Sequence, residues 1–145
     1  MTTKLTSESQ IQEEISLKER INLLVADLLY PSESDEKIVY FEMELSTTEN
    51  LSLANFRMFN GIPLEVMIQE IEFEKFFAPM IKMEDWFGDE EKKWADESLK
   101  LKQLLSEKLK DIKILKVGEI QIDIYLFGKA EECKWVGLKT KVIET

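Results

Sequence analysis

Apolar residues return at helical spacing through Leu17, Ile21, Leu24, Val25 and Leu28, with Ile11 and Ile15 extending the stripe upstream. This pattern predicts an amphipathic helix over about residues 7–29. Ser7 and Gln10 supply a capping-box spacing at its start, and Pro31 suits its end. The stretch "LLYPSESDEK", residues 28–37, then interrupts the apolar run with two serines and three carboxylates, which reads as an acidic loop. "IVYFEMEL", residues 38–45, sets Val39, Phe41, Met43 and Leu45 against Tyr40, Glu42 and Glu44, the period of a half-buried strand.

"STTENLSLANFRMFNGIP" reads as a packed loop punctuated by Gly61 and Pro63. "LEVMIQEIEF" reads as a strand whose phase changes near Glu70, with a bulge or a switch to a short helix at "EKFFAP". A second long amphipathic helix is predicted from Met83 to Lys110 on Trp94, Leu101, Leu104, Leu105 and Leu109, with Gly88 weakening its first turn. "IKILKV" and "GEIQIDIYLFG" follow as strands, the second with a face of Ile120, Ile122, Ile124 and Leu126. "AEECK" is a turn into a last strand, "WVGLKTKVIET". The order of helix, strands, helix, strands lacks regular strand–helix alternation. It therefore favours an α+β arrangement with a largely antiparallel or mixed sheet over a doubly wound parallel fold.

The 145 residues and 44% apolar content fit one domain, 1–145, with residues 1–8 as a flexible start. A formal charge of −10 repels polyanions, which argues against direct nucleic-acid binding and turns attention to basic partners such as nuclease clefts. Solubility alone is an equally physical use of such charge. The absence of histidine removes Ser-His and Cys-His catalysis and histidine metal sites. Cys133 is a single thiol with no internal disulfide partner. The polar start "MTTKLTSESQ" and the lack of a long apolar run predict a cytoplasmic protein that does not engage membranes.

Candidate chemistry is sparse. Glu33 with Asp35 is an imaginable glycosidase pair, but 29 acidic residues make chance pairs unavoidable. "SESDEK" lacks the alternating ligands and central glycine of a calcium loop. In "KMEDWFGDEEKKW", Trp86 and Phe87 either turn into the core or leave an aromatic anchor exposed, and Asp85 is placed to cap the following helix. The final strand either simply stops or holds Thr145, with its hydroxyl and terminal carboxylate, in a defined place.

"LLYPSESDEK", "EDWFGDEE", "VGEIQIDIYLFGK" and "GLKTKVIET", in this order and at these separations, resemble the nuclease A inhibitor family from about Ile15 to Thr145. The family blocks sugar-nonspecific, metal-dependent nucleases. The resemblance implies an α/β/α sandwich of the pathogenesis-related type with a mixed, largely antiparallel sheet. It also implies that Glu33 enters the nuclease active site and binds the partner's catalytic magnesium, in the complex only. Asp85 and Trp86 would join the contact surface, and Thr145 would reach the same active-site region. The longer N-terminus, residues 47–62 and Lys139 depart from the family pattern.

A carboxylate offered to a hard cation in place of a substrate phosphate blocks the site without presenting a cleavable bond. The expectation is therefore an inhibitor that is not an enzyme and carries no cofactor. The alternative is an acidic protein–protein interaction module on the same scaffold, without nuclease inhibition.

Overall fold

The computed structural model describes residues 17–31, 36–44, 51–82, 84–131 and 134–143. The expected flexible start, residues 1–8, lies outside them. Among the described residues the first helix, α1, covers 17–25, where Ile21 and Val25 are buried. The expected continuation to Leu29 does not occur. A turn in which the Leu28 amide donates to the Val25 carbonyl (3.1 Å) ends the helix, and Leu29–Tyr30 becomes strand β1. The reason is that Leu28 and Tyr30 are both buried while Leu29 between them is exposed, the alternation of a strand. Leu28 satisfies both periods, so the apolar pattern alone could not locate the switch.

Strand β2, Glu36–Lys37, pairs antiparallel with β1 in register Leu29 with Lys37 and Tyr30 with Glu36. Strand β3, Val39–Glu44, matches the expected alternation only in part. Met43 is fully buried, but Val39 is exposed and Tyr40 packs on the opposite face from Phe41.

The packed loop expected before Gly61 contains helix α2, Leu53–Asn60. Its signals are local: the Ser52 hydroxyl accepts from the Asn55 amide (3.1 Å), and Gly61 ends the helix at φ 64°, a left-handed conformation that glycine adopts without strain. The expected strand at 64–73 is confined to β4, Ile68–Ile71, and the chain then enters helix α3, Phe73–Ile81. The predicted switch to helix is therefore real, and it begins one residue before "EKFFAP".

Helix α4, Asp89–Lys108, starts later than Met83. Gly88 is its N-cap residue and does not weaken its first turn, since the Glu91 carboxylate reaches back to accept from the Gly88 amide (3.0 Å). Asp89, Glu90 and Glu91 place negative charge where the helix dipole favours it.

Strands β5 (Lys110–Val117), β6 (Gln121–Glu131) and β7 (Lys134–Ile143) form a meander. Ile120 lies in the turn before β6 and is exposed, so the expected apolar face begins at Ile122. The five-stranded sheet has the order β3-β7-β6-β5-β4. Every pairing among the described residues is antiparallel, so the largely antiparallel sheet that was expected is found and no parallel, mixed pairing occurs among them. Only three residues separate β5 from β6 and two separate β6 from β7, too few for a parallel crossover.

Strand alternation divides the core in two. Ile122, Ile124 and Leu126 of β6, with Val136, Leu138 and Val142 of β7, pack with α1, α3 and α4. Tyr125 and Phe127 point to the other face and meet Phe56 of α2, with ring centroids 5.0 and 5.4 Å apart. The sheet is thus covered by helices on both faces. Phe56, Phe76, Phe77 and Phe127 are among the largest fully buried side chains. Each contributes on the order of 1.5–3 kcal/mol by removal from water. Gly137 is paired with Phe41 on one side and Phe127 on the other, and an added Cβ there would collide with the Leu126 carbonyl.

Candidate partner-binding site

The acidic segment runs in sequence between two paired strands, β1 and β2. Residues 31–35 connect β1 to β2, and the register pair Tyr30–Glu36 holds the two ends of this connection about 5 Å apart, the spacing of an antiparallel pair. Glu33 itself lies outside the described residues. A two-stranded ribbon with two residues per strand is marginal alone. It therefore needs support from the body of the protein.

That support comes from three directions. The Tyr30 ring stacks on Phe76 (centroids 4.7 Å), and its hydroxyl donates to the Phe76 carbonyl at 2.9 Å, fixing β1 on α3. The indole N–H of Trp94, in the second turn of α4, donates to the Leu29 carbonyl at 3.2 Å. The Thr140 hydroxyl of β7 donates to the Lys37 carbonyl at 2.9 Å. Leu29 and Lys37 are the register pair at the base of the hairpin, so α4 and β7 hold opposite sides of one rung. Ser98, buried one turn beyond Trp94, donates to the Trp94 carbonyl at 2.7 Å and ties the two turns of the helix together.

Thr140 was not singled out in the sequence, although a signal existed. It falls on the inward face of β7 with Val136, Leu138 and Val142, where a hydroxyl must find an internal partner or be costly to bury. Tyr30 and Trp94 carry the same kind of signal, an apolar ring with one polar tip.

The hairpin and the end of β7 border one cleft of about 240 Å³, lined by Glu36, Asp123, Lys141, Val142 and Ile143. Strand β7 is described to Ile143 and its last pair is with Gln121. Thr145, two residues further on, lies outside the described residues. Cys133 lies outside them as well.

Asp85 and Trp86 occupy the connection between α3 and α4. The Phe87 amide donates to the Glu84 carbonyl (3.1 Å), closing a turn that pushes the Trp86 ring outwards. The ring is 73% exposed, which resolves the choice left open by the sequence. Phe87 is half-buried and meets Trp86 edge-on with centroids 4.7 Å apart, so it props the indole from beneath. Asp85 is exposed and does not cap α4, because Gly88 holds the N-cap position. Helix α4 links the two regions, since the Trp86 turn leads into it and its Trp94 touches the hairpin.

Lys139 is engaged within the chain, with its ammonium 5.0 Å from the centre of the Tyr125 ring. Tyr40, partly buried on β3, donates to the Glu42 carboxylate at 2.9 Å. Burial, and then this hydrogen bond and the charge of Glu42, raise its phenol above the ordinary tyrosine value. Among the described residues no cluster of three or more His, Cys, Asp or Glu could hold a metal ion, and no described helix is long and apolar enough to cross a membrane. What the described residues offer is a surface for recognition: a braced β1–β2 strand pair, a cleft at the end of β7 and an exposed indole.

Residues 15–145 match the family described as Nuclease A inhibitor-like protein. A comparison with curated proteins returns no match.

Proposed function

The chain belongs to the nuclease A inhibitor-like family, and from that premise we propose that it is a stoichiometric inhibitor of a magnesium-dependent, sugar-nonspecific nuclease. Family membership over a segment that contains Glu33, Asp85, Trp86 and Thr145 carries this reading. In it, Glu33 enters the nuclease active site and binds the catalytic magnesium. Asp85 and the Trp86 ring lie against the surrounding surface, and Thr145 reaches the same region. Helices on both faces of the sheet support the α/β/α sandwich of the pathogenesis-related type that the resemblance implies.

The chemistry is consistent throughout. Magnesium prefers oxygen ligands and retains exchangeable waters, so one inserted carboxylate competes with a substrate phosphate. A nuclease cleft is basic because its substrate is polyanionic, and a protein of charge −10 is drawn to the same groups. The inhibitor brings no metal of its own to this contact.

The test is titration of DNA cleavage by magnesium-dependent nonspecific nucleases with the purified protein. A one-to-one endpoint is expected with the cognate enzyme. Glu33→Ala should lose at least about 2 kcal/mol of affinity, the scale of an interface hot spot, with its fold intact. Wild-type affinity in that variant removes the role of Glu33, and unchanged affinity after deletion of Thr145 removes the role of the terminus.

A further inference from the structure

Helices α1 and α4 leave an open groove of about 390 Å³ between them, where Leu23, Leu24 and Leu104 come together. Leu104 is buried, Leu24 is half-buried and Leu23 is 77% exposed, so the apolar lining grades from the core out to solvent. Leu23 stands outside the stripe of Leu17, Ile21, Leu24, Val25 and Leu28 and is not among the side chains packed on that core. A lone exposed leucine calls for no explanation, but this one borders a concavity of the size of small-molecule sites, about 300–1,000 Å³.

Charge narrows what the groove suits. Arg20 lies one turn before Leu24 and Lys100 one turn before Leu104, so each helix sets a cation beside its leucine. Among the described residues the ion pairs are Lys82 with Glu84, Lys93 with Glu97 and Lys102 with Glu74, and neither Arg20 nor Lys100 belongs to one. Glu107 also lines the groove, which leaves two cations against one carboxylate on a chain of formal charge −10. A second copy or an anionic membrane surface would meet that whole charge, whereas a small ligand with one negative group responds chiefly to the two cations beside it. We propose that the α1–α4 groove binds a small anionic amphiphile, a free molecule with an apolar body and one carboxylate, of the class of a medium-chain fatty acid. Its body lies along the three leucines and removes Leu23 from water, and its carboxylate accepts hydrogen bonds from Arg20 or Lys100. The groove shares no residue with the β1–β2 pair, the cleft at the end of β7 or Trp86, so the site is independent of the nuclease reading.

The test uses the full chain and dodecanoate below its micellar concentration, with dodecylammonium and dodecyl maltoside as cationic and neutral controls carrying the same apolar chain. Calorimetric titration is expected to show saturable one-to-one binding of dodecanoate. Each control should bind at least about tenfold more weakly, the range of a lost charge-assisted hydrogen bond. Leucine-methyl NMR should place the largest shifts at Leu23, Leu24 and Leu104. Arg20→Gln combined with Lys100→Gln should weaken dodecanoate by about tenfold, and Leu23→Ser by about fivefold. All three substituted residues are exposed, so these variants are expected to keep the fold.

An absence of saturable dodecanoate binding by the folded wild-type protein overturns the site. So does equal affinity for all three amphiphiles, which is unspecific apolar adsorption, and so do methyl shifts confined to leucines outside the groove. Undiminished binding in both variants removes the roles of Leu23 and the two cations, and the proposal with them. Two further outcomes assign the groove elsewhere and overturn it equally. Self-association in sedimentation velocity that Leu23→Ser abolishes gives the groove to a second copy, and co-sedimentation with phosphatidylcholine–phosphatidylglycerol vesicles that the same change abolishes gives it to a membrane surface.

Discussion

Thr140 donates its hydroxyl to the carbonyl of Lys37 at 2.9 Å, joining the last strand of the chain to the short ribbon at the other end of the sequence. The contact is buried at Thr140 and spans 103 residues. It explains why a polar residue occupies the inward face of β7, and it connects the sheet to the acidic connection at residues 31–35. The family relationship directs attention to that connection, and the ribbon's three anchors show how a two-residue strand pair is kept in place.

The exposed Trp86 should separate binding from stability. Replacing Trp86 by Ala removes little buried area from the folded protein, so its unfolding free energy is expected to stay within about 0.5 kcal/mol of wild type. Its affinity for the nuclease is expected to fall by about 2 kcal/mol, as for an aromatic interface anchor. Denaturant unfolding and calorimetric titration of the same variant check both halves. Unimpaired binding would remove Trp86 from the interface.

Electrostatic attraction should appear in the association rate. With a formal charge of −10 facing a basic cleft, kon is expected to fall steeply as ionic strength rises, while koff changes less. Stopped-flow measurements across a salt series report this directly. A kon indifferent to salt would show that the charge serves another purpose.

Tyr40 sets an alkaline limit. Its folded pKa is raised, chiefly by burial and also by Glu42, so the folded state favours the neutral phenol more than the unfolded state does. The resulting stability is fully present below the unfolded value of about 10 and is lost as pH rises from there towards the raised folded value. Tyr40→Phe should lose less stability than wild type between about pH 8 and pH 11, read by chemical denaturation at each pH. Parallel losses in the two proteins would contradict this.

The cap of α2 is open to a simple test. Ser52→Ala removes the acceptor for the Asn55 amide and is expected to cost about 1 kcal/mol, with faster amide exchange in the first turn of Leu53–Asn60. A change below a few tenths of a kcal/mol would mean that Phe56, the buried residue of α2, holds the helix without its cap.

Much of the secondary structure was legible because long periodic runs leave little choice. The stripe of Leu101, Leu104 and Leu105 and the alternation of Ile122, Ile124 and Leu126 each match one element well. Short elements were harder. Helix α2 was hidden in a run rich in Ser, Thr and Asn, although Ser52 and Gly61 mark its two ends. The change from α1 to β1 was hidden because "LLVADLLY" supports both periods until Tyr30 finds Phe76. Among the proposed site residues, the acidity around Glu33 was visible, whereas the exposure of Trp86 was not, since an aromatic near a helix start packs inward as readily as outward.

The sequence by itself determined the acidic charge, the lack of histidine chemistry, the main apolar faces and, through four motifs in order, the family. Each of these depends on residue identity and spacing along the chain. Only the tertiary structure decided that the sheet is antiparallel in every described pairing, that Gly88 rather than Asp85 caps α4, and that Trp94 and Thr140 meet the ribbon at Leu29 and Lys37. Those outcomes depend on which distant backbone groups are brought together. A side-chain donor carries no mark of the carbonyl it will satisfy until packing has excluded water from both.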